Sequence, residues 1–267
     1  MRVAWAILLA VVCQTAAAAF YGKNSGVLNL TPKNFDAEVY GTNHTTLVEF
    51  YADWCGHCKN LRPHYAKAAQ SVGSLAKVAA VRCDEAGNEA LCSRFRVKGY
   101  PTLKVFRAQK SAPGKPIVED YTGARTAKAM ADGVLGRIAN HVRRLGARDV
   151  AAFVAGPAPK AVLFQDKSTT PAMWKSLAID FLGAIDFGVV RKTEQAAVDE
   201  YGVTEFPTVL VFRNGAAEKY TGALKKDALY GHLATVAPPT EGPLAPARPK
   251  GKAGKGKAKK GSKGDEL

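Results

Sequence analysis

An apolar run that ends in two closely spaced cysteines constrains this chain more than any other feature. Residues 47–59 read LVEFYADWCGHCK. The first half, apolar and aromatic with one acid, is typical of a central strand that is covered on both faces. From Leu61 to Ala69 apolar residues recur at three- and four-residue steps, which predicts a helix. Cys55 therefore lies where a buried strand ends and a helix begins.

This position favours nucleophilic chemistry at Cys55. Free amide N–H groups and the positive end of the helix dipole favour a thiolate there, and a protonated His57 adds to the effect. Only the thiolate attacks a disulfide, so the pattern predicts thiol–disulfide exchange. The same C-x-x-C spacing also occurs in zinc sites. We favour the redox interpretation and predict no metal site, because Cys83 and Cys92 are separated by eight residues and no closely spaced histidine pair is present.

Both ends of the chain carry targeting patterns. Residues 1–19 combine Arg2, an apolar stretch and the small residues 17–19, which predicts a cleaved secretory signal peptide rather than an uncleaved anchor. The chain ends in Gly-Asp-Glu-Leu at residues 264–267, which departs from the endoplasmic reticulum retrieval signal only by Gly for a basic residue. We therefore expect a protein of the endoplasmic reticulum lumen, bound by the retrieval receptor and without a membrane span.

Residues 238–267 form a tail rich in Pro, Gly, Ala and Lys. This segment has no apolar periodicity, so we expect it to be disordered. Residues 248–267 contain eight basic and two acidic side chains and supply +6 of the net charge of +15. Nucleic acid is the usual partner of such a run. The predicted secretion and the absence of aromatic side chains from the tail argue against it, and we favour a solvated spacer.

The motif and its flanks resemble the active site of the protein disulfide isomerase family, whose redox domains have the thioredoxin fold and a Cys-Gly-His-Cys motif, here Cys55, Gly56, His57 and Cys58. The resemblance implies that Cys55 attacks the substrate and Cys58 resolves the mixed disulfide, with a Cys55–Cys58 disulfide in place of a cofactor. Tyr100-Pro101-Thr102 resembles the cis-proline loop of the family, which faces the cysteines and binds extended substrate. With Trp54, Tyr100 and Pro101 are the expected substrate contacts.

Three charged residues receive roles from the same resemblance. Glu49 is a lone acid in a buried strand, so burial should raise its pKa, and the family makes it the proton acceptor for Cys58. The alternative is a structural, salt-bridged acid. Arg82 aligns with the basic residue that pairs with this acid, and Arg125 matches a mobile arginine that approaches the second cysteine.

The remaining cysteines and two sequons carry modification hypotheses. Cys83 and Cys92 bracket a loop between a strand and a helix, and we expect a structural disulfide, with a second redox pair or free thiols as alternatives. Asn29 and Asn43 lie in glycosylation sequons. Pro32 directly follows the first sequon, which makes Asn43 the better candidate.

The chain is predicted to be an α/β protein of two tandem thioredoxin-fold domains with mixed sheets flanked by helices. Residues 20–143 follow the order β-α-β-α-β-α-β-β-α and should end in a helix from Thr126 to about Arg143. Residues 144–237 repeat this pattern, since 201–212 parallel 95–106. The repeat has no cysteine and reads Lys-Ser-Thr-Thr-Pro at 167–171, so it should be redox-inactive. This arrangement resembles short, fungal-type members of the family.

These features together predict an oxidoreductase and isomerase that forms, reduces and rearranges disulfides. Unfolded or disulfide-bonded secretory proteins would be the substrates, and an endoplasmic reticulum oxidase or glutathione would reset the cysteines. The alternative is a luminal chaperone or binding protein whose redox centre is incidental.

Overall fold

The computed structural model describes residues 20–109 and 112–241. These residues form two five-stranded mixed sheets, each flanked by helices. The predicted signal peptide, most of the basic tail and the terminal Gly-Asp-Glu-Leu lie outside the described residues. In the part of the chain that is described, no helix is long and apolar enough to cross a membrane.

The first unit has the strand order β1-β3-β2-β4-β5, with β1, β2 and β3 parallel and β4 and β5 antiparallel to their neighbours. A π-helical turn at Asp36–Tyr40 follows β1. The elements are β1 (Leu28–Leu30), β2 (Thr46–Tyr51), α1 (Gly56–Val72), β3 (Lys77–Arg82), α2 (Glu89–Arg94), β4 (Thr102–Gln109), β5 (Ala112–Asp120) and α3 (Ala127–Leu135).

Strand β2 is the centre of this unit, and all six of its residues are buried. Alternate residues point to opposite faces of a sheet. Leu47 and Tyr51 join the core cluster that contains Cys58 and Tyr65 of α1. Val48 and Phe50 join a second cluster on the other face, with Phe35, Val81 and Phe106 among its members. Glu49 shares the face of Leu47 and Tyr51, which places it towards α1 and the cysteines.

The second unit repeats this topology, with the order β6-β8-β7-β9-β10. A 3-10 turn at Ala147–Asp149 precedes its first helix. The elements are β6 (Arg143–Leu145), α4 (Val150–Val154), β7 (Lys160–Gln165), α5 (Ala172–Asp180), β8 (Asp186–Arg191), α6 (Gln195–Glu200), β9 (Thr208–Arg213), β10 (Ala216–Lys219) and α7 (Lys226–Ala234). The predicted pair of tandem thioredoxin folds is confirmed.

The predicted end of the first domain is wrong. Helix α3 stops at Leu135 rather than continuing to Arg143, and Gly136, a poor helix former, follows it. Arg143 instead begins β6 and pairs with Gly188 of β8. A domain boundary at 143/144 would therefore cut the first strand of the second sheet.

The predicted start of the disordered tail at residue 238 is also too early. The amides of Thr240 and Glu241 donate to the carbonyl of Asp180 over 2.8 and 3.1 Å. The Glu241 carboxylate accepts from the Asn43 amide at 2.6 Å and from the Thr42 hydroxyl at 2.7 Å. The chain up to residue 241 thus lies against both units, because its backbone and carboxylate complete hydrogen bonds at their interface.

Candidate active site

The two cysteines of the motif lie at the amino end of α1. Cys55 has an extended backbone and caps the helix, and its Sγ accepts a hydrogen bond from the amide of Cys58 at 3.2 Å. Both thiols are free and both residues are buried, with 5 % of Cys55 exposed and none of Cys58. Cys55 is therefore the sulfur at the surface of the site, and Cys58 is the sulfur behind it.

A proline loop faces Cys55 from the neighbouring part of the sheet. The Tyr100–Pro101 peptide bond is cis, as predicted. The Cys55 thiol lies 3.7 Å from the carbonyl oxygen of Tyr100, to which it donates. Trp54 is 71 % exposed, and its ring lies edge-on to that of Tyr100 at 6.0 Å. A backbone carbonyl and two aromatic rings thus surround the exposed side of the sulfur.

Glu49 lies beneath this site in the middle of β2 and is fully buried. Burial raises its pKa from 4.5 to about 7, against the opposing effects of a hydrogen bond from Tyr21 and the positive charge of Arg125. The hydroxyl of Tyr21 donates to Oε2. Oε1 has no hydrogen-bond partner among the residues that the structure describes. The predicted rise in pKa is confirmed, and one oxygen of the acid is available.

The Cys58 thiol needs a base to react at neutral pH. Burial raises its pKa to about 12, with further increases from its hydrogen bond with Cys55 and from the charges of Cys55 and Glu49. A backbone hydrogen bond involving Ala52 acts in the opposite direction. Cys58 is therefore a neutral thiol at pH 7, in the electrostatic field of an acid whose pKa is about 7.

The predicted pairing of Arg82 with Glu49 is wrong. The guanidinium group lies 3.0 Å from Asp84 and 3.6 Å from Asp53, and 39 % of the side chain is exposed. Arg82 is opposite Tyr51 in the sheet, whereas Glu49 is opposite Ala80. At the end of β3 the guanidinium stays hydrated beside two surface carboxylates, which avoids the desolvation cost of a buried ion pair.

Arg125 lies at the rim of the site. Its Nη2 donates to the carbonyl oxygen of Pro101 at 3.1 Å, and its positive charge lowers the pKa of Glu49. The side chain is thus connected to the proline loop in this structure. The approach of Arg125 to Cys58 remains a prediction.

Cys83 and Cys92 form the expected disulfide, with Cα atoms 5.9 Å apart. The bond connects the end of β3 to α2, on the face of the sheet opposite the redox cysteines. Of the two sequons, Asn29 donates its side-chain amide to the Tyr21 carbonyl at 3.0 Å, whereas Asn43 is half-buried in the loop beside Glu241. Glycosylation of either residue remains a prediction.

The second unit has a similar proline loop but no thiol. Its Phe206–Pro207 bond is also cis. The residues at 167–171, which lead into α5, contain no cysteine, whereas Cys55 caps α1 and Cys58 lies in its first turn. Within residues 20–109 and 112–241, no group of three or more His, Cys, Asp or Glu side chains is arranged to hold a metal ion.

The sequence interpretation missed Tyr21, the hydrogen-bond donor to Glu49. This residue is the second after the predicted signal peptide and belongs to no periodic pattern. Its position 28 residues before the acid carries no local signal. A buried acid does require a donor, so the need for a partner was visible even though its identity was not.

Comparisons with known proteins agree with this geometry. The thioredoxin family profile matches residues 26–135. A putative protein disulfide-isomerase of Dictyostelium discoideum is 36 % identical over 231 residues, covering 85 % of this chain and 56 % of the relative. Protein disulfide-isomerase MPD1 of Saccharomyces cerevisiae is 37 % identical over 207 residues, covering 73 % and 65 %.

Among solved structures, a crystal structure of ERdj5 superposes on 80 % of this chain with a TM-score of 0.51 and 21 % identity, which supports the fold alone. This similarity covers 30 % of that structure. The chain spans 56 % of the length of the Dictyostelium relative and 65 % of the length of the yeast relative. The profile match in the first unit and the identity to disulfide isomerases across both units lead to one assignment: the chain belongs to the protein disulfide isomerase family of the thioredoxin superfamily.

Proposed function

We propose that this chain is a thiol–disulfide oxidoreductase and isomerase that acts on polypeptides. The observation that carries this proposal is the arrangement around Cys55. Its sulfur caps α1 and lies 3.7 Å from the carbonyl of the cis-proline loop, and a buried acid with a pKa of about 7 lies in the strand behind it. The disulfide isomerases among the relatives support the same activity.

The reaction begins with attack by the Cys55 thiolate on one sulfur of a substrate disulfide. The substrate S–S bond breaks, a Cys55–substrate bond forms, and the departing substrate thiolate takes a proton from solvent. Cys58 then loses its proton to Glu49 and attacks the Cys55 sulfur. The second substrate sulfur leaves as a thiolate and takes a proton from solvent, so the substrate gains two electrons and the two cysteines become a disulfide.

The same bonds account for oxidation and rearrangement. In the reverse reaction, the Cys55–Cys58 disulfide accepts two electrons from a pair of substrate thiols. When a substrate thiol attacks the mixed disulfide before Cys58 does, the substrate rearranges and Cys55 is released unchanged. The electrons move only between sulfur atoms, so this chemistry requires no organic cofactor.

The substrate approaches past the proline loop. The exposed face of Trp54 and the ring of Tyr100 offer apolar contact beside Cys55. The resemblance to the family implies that the backbone of the loop would also hydrogen-bond an extended chain. Such contacts are insensitive to sequence, which suits a broad set of unfolded clients. The cis-proline loop of the second unit provides a comparable backbone arrangement without thiol chemistry.

We place this activity in the endoplasmic reticulum lumen. The supporting features are the signal peptide pattern and the terminal Gly-Asp-Glu-Leu, both outside the described residues. The clients would be secretory proteins, a luminal oxidase or glutathione would reset the cysteines, and the retrieval receptor would bind the terminus. The first unit would carry the chemistry, and the second unit, which has no cysteine, would bind clients or stabilise the first.

Reduction of insulin and reactivation of scrambled ribonuclease test the activity. Cys55→Ser should abolish both reactions, and Cys58→Ala should accumulate mixed disulfides with substrate. The matched control is Cys83→Ala/Cys92→Ala, which removes the other cysteine pair and should retain activity. A folded wild-type protein that is inert in both assays but prevents aggregation of unfolded clients would instead establish the chaperone alternative.

A further inference from the structure

Tyr21 makes a contact in the redox site that the proposed reaction has not yet used. The residue is 1 % exposed, and its hydroxyl donates to Oε2 of Glu49. Its ring packs against those of Phe20, Tyr51 and Tyr65 at centroid distances of 5.1 to 5.8 Å. Its carbonyl accepts the side-chain amide of Asn29 at 3.0 Å. Both the backbone and the ring are therefore held, so the hydroxyl has a fixed direction.

This hydrogen bond makes the two carboxylate oxygens inequivalent. Oε2 accepts from Tyr21, whereas Oε1 is buried and accepts from no group in the described parts of the chain. A proton added to Oε2 would compete with the tyrosine hydrogen for the same oxygen. A proton added to Oε1 leaves the tyrosine hydrogen bond intact, and Oε1 is therefore the favoured site of protonation.

Resting on the proposed function, we propose that Tyr21 is a positioning residue for proton transfer from Cys58. By occupying Oε2, the tyrosine leaves Oε1 as the oxygen that takes the proton. The proton moves from Cys58 Sγ to Oε1, directly or through one water, and the resulting thiolate attacks Cys55. In the reverse reaction the Cys58 thiolate leaves and recovers the proton from Oε1.

Tyr21 also sets the pH at which the acid can act. Its hydrogen bond to the charged carboxylate opposes the effect of burial and lowers the pKa of Glu49. Tyr21 itself does not ionise, because burial and then the charge of Glu49 raise its own pKa far above 10. The other charged group that shifts the pKa of the carboxyl is Arg125, which lowers it. Burial, and to a smaller extent the charge of this acid, in turn raises the pKa of the neighbouring Tyr51, Tyr65 and Cys58, so these groups are neutral at pH 7.

The test is Tyr21→Phe in the full chain, with first attack and resolution measured separately by rapid acid quench across pH 5.5–9.5. The hydrogen bond stabilises the charged acid, so its loss should raise the midpoint, the pH at which the resolution rate is half of its maximum. We expect a rise of about one pH unit. At pH 7 the ionised fraction of Glu49 then falls from about one half to about one tenth, so resolution should slow by about fivefold, and the defect should disappear near pH 9. First attack by Cys55 should not change.

Tyr51→Phe is the matched control. Tyr51 belongs to the same aromatic group, and its ring stacks on Phe20 at 4.4 Å, but no hydrogen bond joins its hydroxyl to Glu49 in the described structure. Loss of this hydroxyl should leave the midpoint in place. A second variant carries 3-fluorotyrosine at position 21, which keeps the ring and is a stronger donor, and it should move the midpoint to lower pH.

The outcomes separate this inference from the proposed function. A wild-type protein without thiol–disulfide exchange would refute the proposed function. An active wild type whose resolution midpoint is the same with Tyr, Phe and 3-fluorotyrosine at position 21 would overturn only the role of Tyr21. Should Tyr21→Phe fail to fold, the fluorinated variant alone decides, because an unchanged midpoint in it also refutes the inference.

Discussion

Glu49 and Cys58 are two buried groups whose protonation states are coupled. The negative charge of Glu49 is one of the causes that raise the pKa of Cys58, after burial and the hydrogen bond with Cys55. Transfer of the proton from sulfur to carboxylate removes that charge when the thiolate forms. In the proposed reaction the acid accepts the proton and, once neutral, no longer repels the thiolate.

The first prediction concerns catalysis in Glu49→Gln. Loss of the base should slow resolution by roughly 100-fold at pH 7 and spare first attack by Cys55. In the wild type, resolution should increase as the pH rises through about 7, where the acid ionises. The variant should lose this step and recover at alkaline pH as Cys58 ionises unaided. Rapid-quench trapping of the mixed disulfide measures both steps, and equal rates in the two proteins would make Glu49 a structural acid.

The second prediction concerns stability in the same variant. The pKa of Glu49 is about 7 in the folded chain and near 4.5 when unfolded, so the folded state retains the proton over that interval. The acid therefore costs little below pH 4.5, the cost grows as the pH rises from 4.5 to about 7, and it is constant above that. Relative to wild type, Glu49→Gln should gain about 2–3 kcal/mol of unfolding free energy between pH 5 and pH 8.

Urea unfolding at the two pH values measures this gain. The Cys58→Ser variant serves as the control, because it changes the same buried site without removing the acid. A difference between wild type and Glu49→Gln that is the same at pH 5 and pH 8 would contradict the raised pKa of Glu49.

The Cys83–Cys92 disulfide crosslinks the end of β3 to α2 in the first unit. Cys83 directly follows β3 and Cys92 lies within α2, nine positions later. The bond lies with Phe35, Val81 and Phe106 on the face of the sheet that is opposite the redox helix. The crosslink and the Cys55–Cys58 pair thus occupy different faces of one sheet, so we expect the crosslink to take no part in the reaction.

The third prediction follows from that separation. Cys83→Ala/Cys92→Ala removes the closed loop, and the gain in entropy of the unfolded chain should lower stability by about 2–3 kcal/mol. Urea unfolding without reductant, with Cys55 and Cys58 replaced by Ser in both proteins, measures the loss. With Cys55 and Cys58 present, the insulin-reduction rate should stay within about twofold of wild type. Unchanged stability would show that the bond constrains the unfolded chain little. A large loss of activity in a folded variant would assign the pair a redox role.

The contact between the two units contains a buried charge cluster. Asp180, at the end of α5, is fully buried, and its carboxylate lies 2.9 Å from Lys226 Nζ and 3.1 Å from His44 Nε2. Lys226 also donates to the Ser74 carbonyl at 2.6 Å, and Glu241 lies 3.5 Å from His44. The cluster joins side chains of both units, and Ile179 of α5 packs into the core of the first unit.

The fourth prediction tests this cluster with Asp180→Asn. The substitution leaves the Lys226 ammonium group buried without its carboxylate and should cost about 3 kcal/mol or more of unfolding free energy. Asp132→Asn is the matched control, since its pair with Lys128 is exposed and should contribute about 0–1 kcal/mol. Urea unfolding at pH 7 compares the variants, and equal losses would show that the cluster does not hold the units together.

Local sequence patterns were sufficient for most of the redox site. The continuous apolar run, the helical spacing after it and the Cys-Gly-His-Cys motif predicted β2, α1 and the position of Cys55, because strand and helix periodicities act over a few residues. The repeat at 201–212 predicted the second thioredoxin fold in the same way. Burial of Glu49 could also be predicted from local sequence, because a residue within a strand that is covered on both faces is buried with that strand.

Contacts between distant parts of the chain required the three-dimensional structure. Tyr21 reaches Glu49 across 28 residues, and Asp180 meets His44 and Lys226 across the contact between the units. Arg82 pairs with surface carboxylates and not with the buried acid, because the free energy of desolvating its guanidinium exceeds the attraction that a buried ion pair would provide. Chain periodicity indicates which face a side chain occupies. Which partner it contacts depends on how the elements pack, and on whether the free energy of the contact exceeds the cost of desolvating the two groups.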